Sequence, residues 1–357
     1  MAMNLLTSLK QQLRMNESLS LGAHDAAVSH NALSPQSAEA RPLAPERERS
    51  DARDAGLCQQ WDGLALALES ALSEVRPDTA WMTELMALHQ RVEALAEQRP
   101  DASLYHLIYT AGHVLEHYSA NHGLLCLLIA RETARALGWN TAQTRSLELA
   151  ALTMNVAMSR LQDALAISDP HINAAMRAEI KDHAERGAEM LDAGGVVDPL
   201  WIGVVRGHHD ELFKLATLAE LSAVHGAVRL LRRVDVFAAK ISRRATRAPM
   251  SPVNAAREAC LGPNGTPDEI GTALFKSVGL YPPGSFVQLG SGEVGIVLAR
   301  GRQANTPVVV ALVAANGSPL AVPALRDTQD KRCAVRFAVS SDDVKVRPAH
   351  DQLLALR

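Results

Sequence analysis

At 357 residues the chain is long enough for two domains and a tail. Its 36 Lys and Arg against 39 Asp and Glu leave a formal charge of −3, which argues against the broad basic field of a nucleic-acid polymer binder. Hydrophobic residues make up 47% but aromatics only 4%, so the core must come from Leu, Ala and Val, a composition that favours closely packed helices. Cys58, Cys126, Cys260 and Cys333 lie far apart with no C-x-x-C pair, the pattern of reduced thiols in a cytoplasm. No window approaches the roughly 18 apolar residues of a membrane span and no signal-peptide core follows the start, so a cytoplasmic protein is expected.

Taken in order, Asn4–Arg14 gathers Leu5, Leu6, Leu9 and Leu13 on one side of a short amphipathic helix. The rest of 1–55 is rich in Ser, Pro, Ala and charge, as in Pro45-Glu46-Arg47-Glu48-Arg49, and reads as a disordered tail. Residues 56–100 form a helical lead-in: Leu64, Leu68 and Leu72 recur four apart, and Met82, Leu85, Leu88 and Val92 continue the rhythm. A main helical domain over 101–283 is counted from its breaks as His106–Tyr118, His122–Leu137, Ala142–Met158, Asn173–Asp192, Pro199–His209, Leu218–Arg244 and Ser251–Cys260. Gly138 suits a helix end, Thr141 and Ser251 suit caps, and Pro252 suits a first turn.

Beyond Tyr281-Pro282-Pro283-Gly284 the period changes. Phe286–Leu289, Val294–Leu298 and Val308–Val313 read as strands, Asn316-Gly317 as a hairpin turn before Leu320–Val322, and Val335, Phe337 and Val339 alternate with Arg336 and Ala338. About five short strands make 284–357 a small antiparallel sheet or barrel. The fold class is mainly α, a helical bundle followed by a small antiparallel β domain.

Chemistry concentrates in a few stretches. Gly207-His208-His209-Asp210 offers two imidazoles and a carboxylate, the usual ligands of divalent iron, manganese or zinc. Before it come Asn121-His122-Gly123, then Thr153-Met154-Asn155-Val156-Ala157-Met158, then His183-Ala184-Glu185-Arg186-Gly187-Ala188-Glu189-Met190-Leu191. After it come Val234-Asp235-Val236, the cations Arg244 and Arg247, and Gly279-Leu280-Tyr281-Pro282. Asp235 falls on or beside the apolar stripe of Leu231, Val234, Ala238 and Ile241, where a carboxylate needs a partner. In this order the segments resemble the HD-GYP family of the HD phosphohydrolase superfamily, from about His113 to Val313.

The resemblance implies an HD-type helical domain holding two or three iron or manganese ions and acting on cyclic di-GMP. It implies His122, His183, His208, His209 and Asp235 as metal ligands, and Arg244 and Arg247 as contacts to nucleotide phosphate. A basic helix end that favours the macrodipole accounts equally for the two arginines. The chain departs from the pattern at its centre. Met154 and Asn155 stand where the family has its His-Asp dyad, Met158 stands where a lysine would touch phosphate, and Tyr118 stands in a ligand-carboxylate position. A thioether is a poor ligand for hard cations, and an amide cannot bridge two of them as a carboxylate does. The Gly-Tyr-Pro loop is replaced by Asp210-Glu211-Leu212-Phe213-Lys214-Leu215-Ala216.

These departures point to a catalytically degenerate regulatory or binding module in bacterial cyclic-dinucleotide signalling, with no catalytic residue in place. Cyclic di-GMP and other signalling proteins are its candidate partners. The remaining ligands are expected to form a metal-free polar cluster with no cofactor, the alternative being one iron or manganese ion if the site is retained. The alternatives are an active metal-dependent phosphohydrolase with a rebuilt centre and a structural interaction protein. His113-Val114-Leu115-Glu116-His117 also fits H-x-x-E-H, which on a helix would place two histidines on one face; a solvated polar face is the simpler account.

Overall fold

The computed structural model describes residues 56–169, 171–211 and 216–357. The expected helix Asn4–Arg14, the tail through residue 55 and residues 212–215 of the loop after Asp210 lie outside the described residues. Among the described residues eleven α-helices precede a five-stranded antiparallel sheet, as the change of period at residue 284 implies. No helix among the described residues is long and apolar enough to cross a membrane. Cys126, Cys260 and Cys333 are free thiols.

The first two helices, α1 (Leu57–Ser73) and α2 (Trp81–Gln98), bury stripes spaced three and four apart: Leu57, Trp61, Leu64 and Leu68, then Trp81, Leu85, Leu88 and Val92. Pro100 opens α3 (Pro100–His113). Helix α4 (Tyr118–Ala136) is buried on nearly every side and runs through the middle of the bundle. Around it lie α5 (Thr141–Thr153), α6 (Ser159–Ile167), α7 (Ala174–Ala193), α8 (Pro199–Gly207), α9 (Ala223–Ile241), α10 (Pro252–Cys260) and α11 (Glu269–Val278).

Several boundaries differ from the periodicity. The expected helix His106–Tyr118 stops at His113 because Val114 is extended and His117 is left-handed, at φ 52°. His113 and His117 are therefore not one turn apart. His113 bonds the Tyr109 carbonyl and His117 pairs with Glu69, so the H-x-x-E-H pattern forms no metal corner. Asn140, not Thr141, caps α5 by accepting from the Gln143 amide. Helix α5 ends at Thr153 and gives way to a single 3-10 turn over Val156–Met158. The run Leu218–Arg244 is broken by a Thr217–Glu220 capping box, and Ser222 caps α9 afresh. Ser251 and Pro252 open α10 as expected.

The strands β1 (Phe286–Leu289), β2 (Val294–Ala299), β3 (Val308–Val313), β4 (Pro319–Arg326) and β5 (Val335–Val339) form an open sheet in the order β4-β3-β2-β1-β5, so the barrel alternative does not hold. Pro319 and Pro323 lie on the edge strand β4, where missing ladder donors are tolerated. The Asn316-Gly317 turn joins β3 to β4, with Gly317 at φ 83° supplying the left-handed residue. Phe286, Ile296, Leu298, Val310 and Leu312 enter the same apolar cluster as the helices. A short last helix, α12 (His350–Leu354), returns to α3, where the Tyr105 hydroxyl donates to His350 Nδ1 at 2.9 Å.

Two buried polar contacts set this packing. Arg131 of α4 reaches Glu148 of α5 at 2.7 Å and Glu93 and Glu97 of α2 at 2.8 Å each, and Glu148 also meets His89 at 2.5 Å. Arg131→Met leaves the Glu148 carboxylate buried without its cation and is expected to cost about 3–5 kcal/mol in urea denaturation; a loss below about 1 kcal/mol would show that His89 alone satisfies it. Burial, and then the charges of His106 and His113, lower His350 to about 4. The folded chain thus keeps this ring neutral where the unfolded chain, near pH 6.5, already binds a proton. Stability from this group is full above about pH 6.5 and falls as pH drops toward about 4. His350→Gln should flatten the pH dependence of unfolding across that window, and an unchanged slope would refute the assignment.

Candidate functional site

The histidines expected as ligands arrive on separate helices, each fixed locally. Helix α8 carries His208 and His209 just past its C-terminus, and its N-terminal turn is tied to α5 at two points. Asp198 caps it and accepts from Ser146 at 2.6 Å, while the Trp201 indole donates to Thr153 at 2.7 Å. Helix α7 brings His183 alongside, packed so that a Cβ on Gly187, one turn on, would sit in ordinary contact with Val156 and Val205 at 3.5 Å. Helix α4 packs on α5 next to His122 in the same way, a Cβ on Gly123 lying 3.5 Å from the Ala151 and Leu152 carbonyls.

Of the five expected ligands, three form one group. The Nε2 atom of His183 is 3.2 Å from that of His208 and 3.1 Å from that of His209. His183 and His208 are buried and His209 lies at the exposed rim. The Nδ1 atoms of His183 and His208 lie 2.6 Å from the carbonyls of Ile180 and Val205. A carbonyl only accepts, so both Nδ1 atoms carry the proton and both Nε2 atoms present lone pairs. Two lone pairs facing at 3.2 Å repel unless something positive lies between them. Ligands about 2.0–2.1 Å from one ion would be separated by about 2.9–3.4 Å, so the trio has the donor type and spacing of a three-histidine metal corner. The backbone bonds to Nδ1 are the partners such ligands normally have. Burial, and then the neighbouring His209, lower His208 to about 3, and burial chiefly lowers His183 as well. The His183 and His208 rings are therefore neutral at physiological pH.

The other two expected ligands pair with each other. His122 Nε2 is 2.8 Å from Asp235 Oδ1, with Cys126 Sγ at 3.5 Å. Burial pushes the Asp235 carboxyl up, but the hydrogen bond from His122 and the charges of His122, His208 and His209 outweigh it and hold the group below its usual range. Asp235 thus sits within electrostatic reach of the trio, although the tight cluster comprises only the three histidines. The Cys126 thiol is fully buried and its pKa is pushed well up, first by burial and then by Asp235.

The two arginines diverge. Arg244 donates through Nε and Nη2 to the Tyr118 hydroxyl at 3.2 and 2.9 Å, and its guanidinium lies 5.0 Å from the centre of that ring. Tyr118 in turn stacks on His122, with centroids 5.9 Å apart and planes 8° from parallel. Arg244 therefore borders the His122–Asp235 pair. Arg247 instead donates to the Ala239 carbonyl in the last turn of α9, where a cation suits the helix end. Met154 and Asn155 are buried at the end of α5, and the Met154 carbonyl lies 3.8 Å from a Cβ built on Gly187. Beside His209, a groove of about 410 Å³ is lined by Asp210, Arg232, Arg233, Val236 and Lys240. Arg232 donates to the His209 carbonyl and pairs with Glu211, Arg233 pairs with Asp268, and Lys240 pairs with Glu258.

The sequence reading of the centre includes Tyr118 but not Cys126, although Tyr118, His122 and Cys126 recur at intervals of four on one helix and so share a face. A third acidic group, His89, Glu93 and Glu148, has metal-like spacing but already holds Arg131.

No family profile matches the chain, and no solved structure matches it. Over 204 residues it is 26% identical to a cyclic di-GMP phosphodiesterase of Pseudomonas aeruginosa, a stretch covering 54% of this chain and 48% of that protein. The chain thus spans about half the length of the curated relative it matches, and it is distantly similar to a protein that acts on a cyclic dinucleotide.

Proposed function

We propose that the chain is an HD-GYP-like module of cyclic di-GMP signalling that binds the nucleotide without hydrolysing it and holds one divalent metal on His183, His208 and His209. The observation that carries the metal is the convergence of three Nε2 atoms at 3.1 and 3.2 Å, with the Nδ1 atoms of His183 and His208 already engaged by backbone. A three-imidazole set suits iron(II) or zinc better than manganese. A bound ion there would supply a Lewis acid for a phosphoryl oxygen. Arg244, beside the His122–Asp235 pair, is the cation that would meet the nucleotide phosphate.

Loss of turnover is read from the dyad positions. Met154 and Asn155 offer no anionic bridge for a second ion, and Met158 offers no cation. The resemblance and the distant relative supply the choice of cyclic di-GMP. A hydrolytic reading would use the same trio with Asp235 as the remaining carboxylate, and an activity assay separates the two.

Anaerobically purified protein is expected to carry about one equivalent of iron or zinc by elemental analysis, and His208→Ala well under half of that. Less than about 0.2 equivalents in the unaltered chain would refute the metal site. Calorimetry should show cyclic di-GMP binding that Arg244→Ala weakens by about 10–100-fold, the loss expected for a charge-assisted hydrogen bond. Incubation with iron(II) or manganese should yield no linear dinucleotide; steady product formation that His208→Ala abolishes would establish the hydrolytic reading instead.

A further inference from the structure

His122 is the histidine that stands apart from the trio. Its Nε2 lies 2.8 Å from Asp235 Oδ1, while its Nδ1 is buried with no hydrogen-bond partner among the described residues. That pair of facts selects the tautomer. A proton on Nδ1 would bury an unpaired N–H and would leave Nε2 facing a carboxylate with two sets of lone pairs opposed. A proton on Nε2 satisfies Asp235 and leaves only a ring lone pair without a partner. A ring nitrogen that carries a proton has no lone pair for an ion, and Nδ1 is closed within the packing of α4.

The surroundings hold the ring in that position. Cys126 lies 3.5 Å from Nε2, and burial keeps its thiol protonated, so it offers no anion to an ion there. Tyr118 lies parallel to the imidazole and is itself fastened by Arg244. The residue at a ligand-carboxylate position of the resemblance has become an aromatic plate backed by a cation.

Resting on the single-metal reading above, we infer that His122 is not a metal ligand but a positioning residue: its Nε2–H holds the Asp235 carboxylate beside the histidine trio, and the Tyr118–Arg244 pair closes the place of a second ion. Carboxylate and histidine are then arranged in the reverse of the usual order, with the histidine outside and the carboxylate facing the site.

Two measurements on the full-length chain test this. Long-range nitrogen–proton NMR of the metal-free protein should show the His122 ring as the Nε2–H tautomer; the Nδ1–H tautomer would overturn the inference whether or not metal binds. Cobalt(II) titration, followed by visible absorption against a competing chelator, supplies the second. His122→Gln retains an amide N–H near the Nε2 position and should bind within about 3-fold of the unaltered chain, whereas His122→Ala should bind about 10–100-fold more weakly. Both should keep one equivalent and an unchanged absorption band, while His208→Ala loses the band. If His122→Gln loses the band as His208→Ala does, His122 is a ligand and the inference fails while the single-metal reading stands. If the unaltered chain takes up no cobalt, the single-metal reading itself fails and takes the positioning role with it.

Discussion

A helix buried on all sides admits polar side chains only where its neighbours supply their partners, and α4 carries several. Arg131 draws in Glu93 and Glu97 of α2 and Glu148 of α5. Two turns and a half earlier, His122 draws in Asp235 of α9. Tyr118, at the first position of α4, is met by Arg244 from just beyond the end of α9. Apolar Leu and Ala packing alone would leave α4 free to rotate or slide by a turn at modest cost. The polar contacts remove that freedom, because a one-residue shift would leave a guanidinium or carboxylate buried alone. The register that satisfies Arg131 is the one that brings His122 to Asp235, so the architecture and the site share one constraint.

The same logic explains how much could be read from the sequence. Helix stripes such as Leu64 and Leu68, the Asn316-Gly317 turn and the Ser251-Pro252 start depend on local spacing and appear in the structure where the spacing puts them. The breaks after His113 and Thr153 do not. Val114 and His117 carry no strong turn signal, and the change of direction there lets Tyr118 begin a helix that faces Arg244. Helix α11 was missed although Ile270, Ala273, Leu274, Ser277 and Val278 keep a helical rhythm, because it follows the Gly- and Pro-rich stretch 262–267. Short α12 depends on its contacts with α3, which no local window contains.

For the site, the residue types were legible but not their grouping. Five ligand positions in chain order give no indication that three meet through Nε2 while two bond to each other. Nor do they tell which ring nitrogen is engaged. That information lies in the backbone carbonyls of Ile180 and Val205, at i−3 from His183 and His208. Those carbonyls set the tautomer, and the tautomer decides whether a ring can donate a proton or accept an ion.

The charge balance of the proposed centre follows from these tautomers. Three neutral imidazoles contribute no charge, so a divalent ion on the trio would be balanced in part by Asp235, with the phosphate of a bound nucleotide completing the balance. A second divalent ion would need further carboxylates. Asn155 supplies an amide, Met154 a thioether and Tyr118 a phenol already bonded to Arg244. The positive charge that a second ion would bring is partly replaced by the guanidinium of Arg244, which cannot release a proton or activate water but can bind an anion. On the proposed reading, a site in which an arginine stands in for one metal would keep attraction for a phosphodiester while lacking the paired cations that would cleave it, which is why binding without turnover is the chemistry proposed for it.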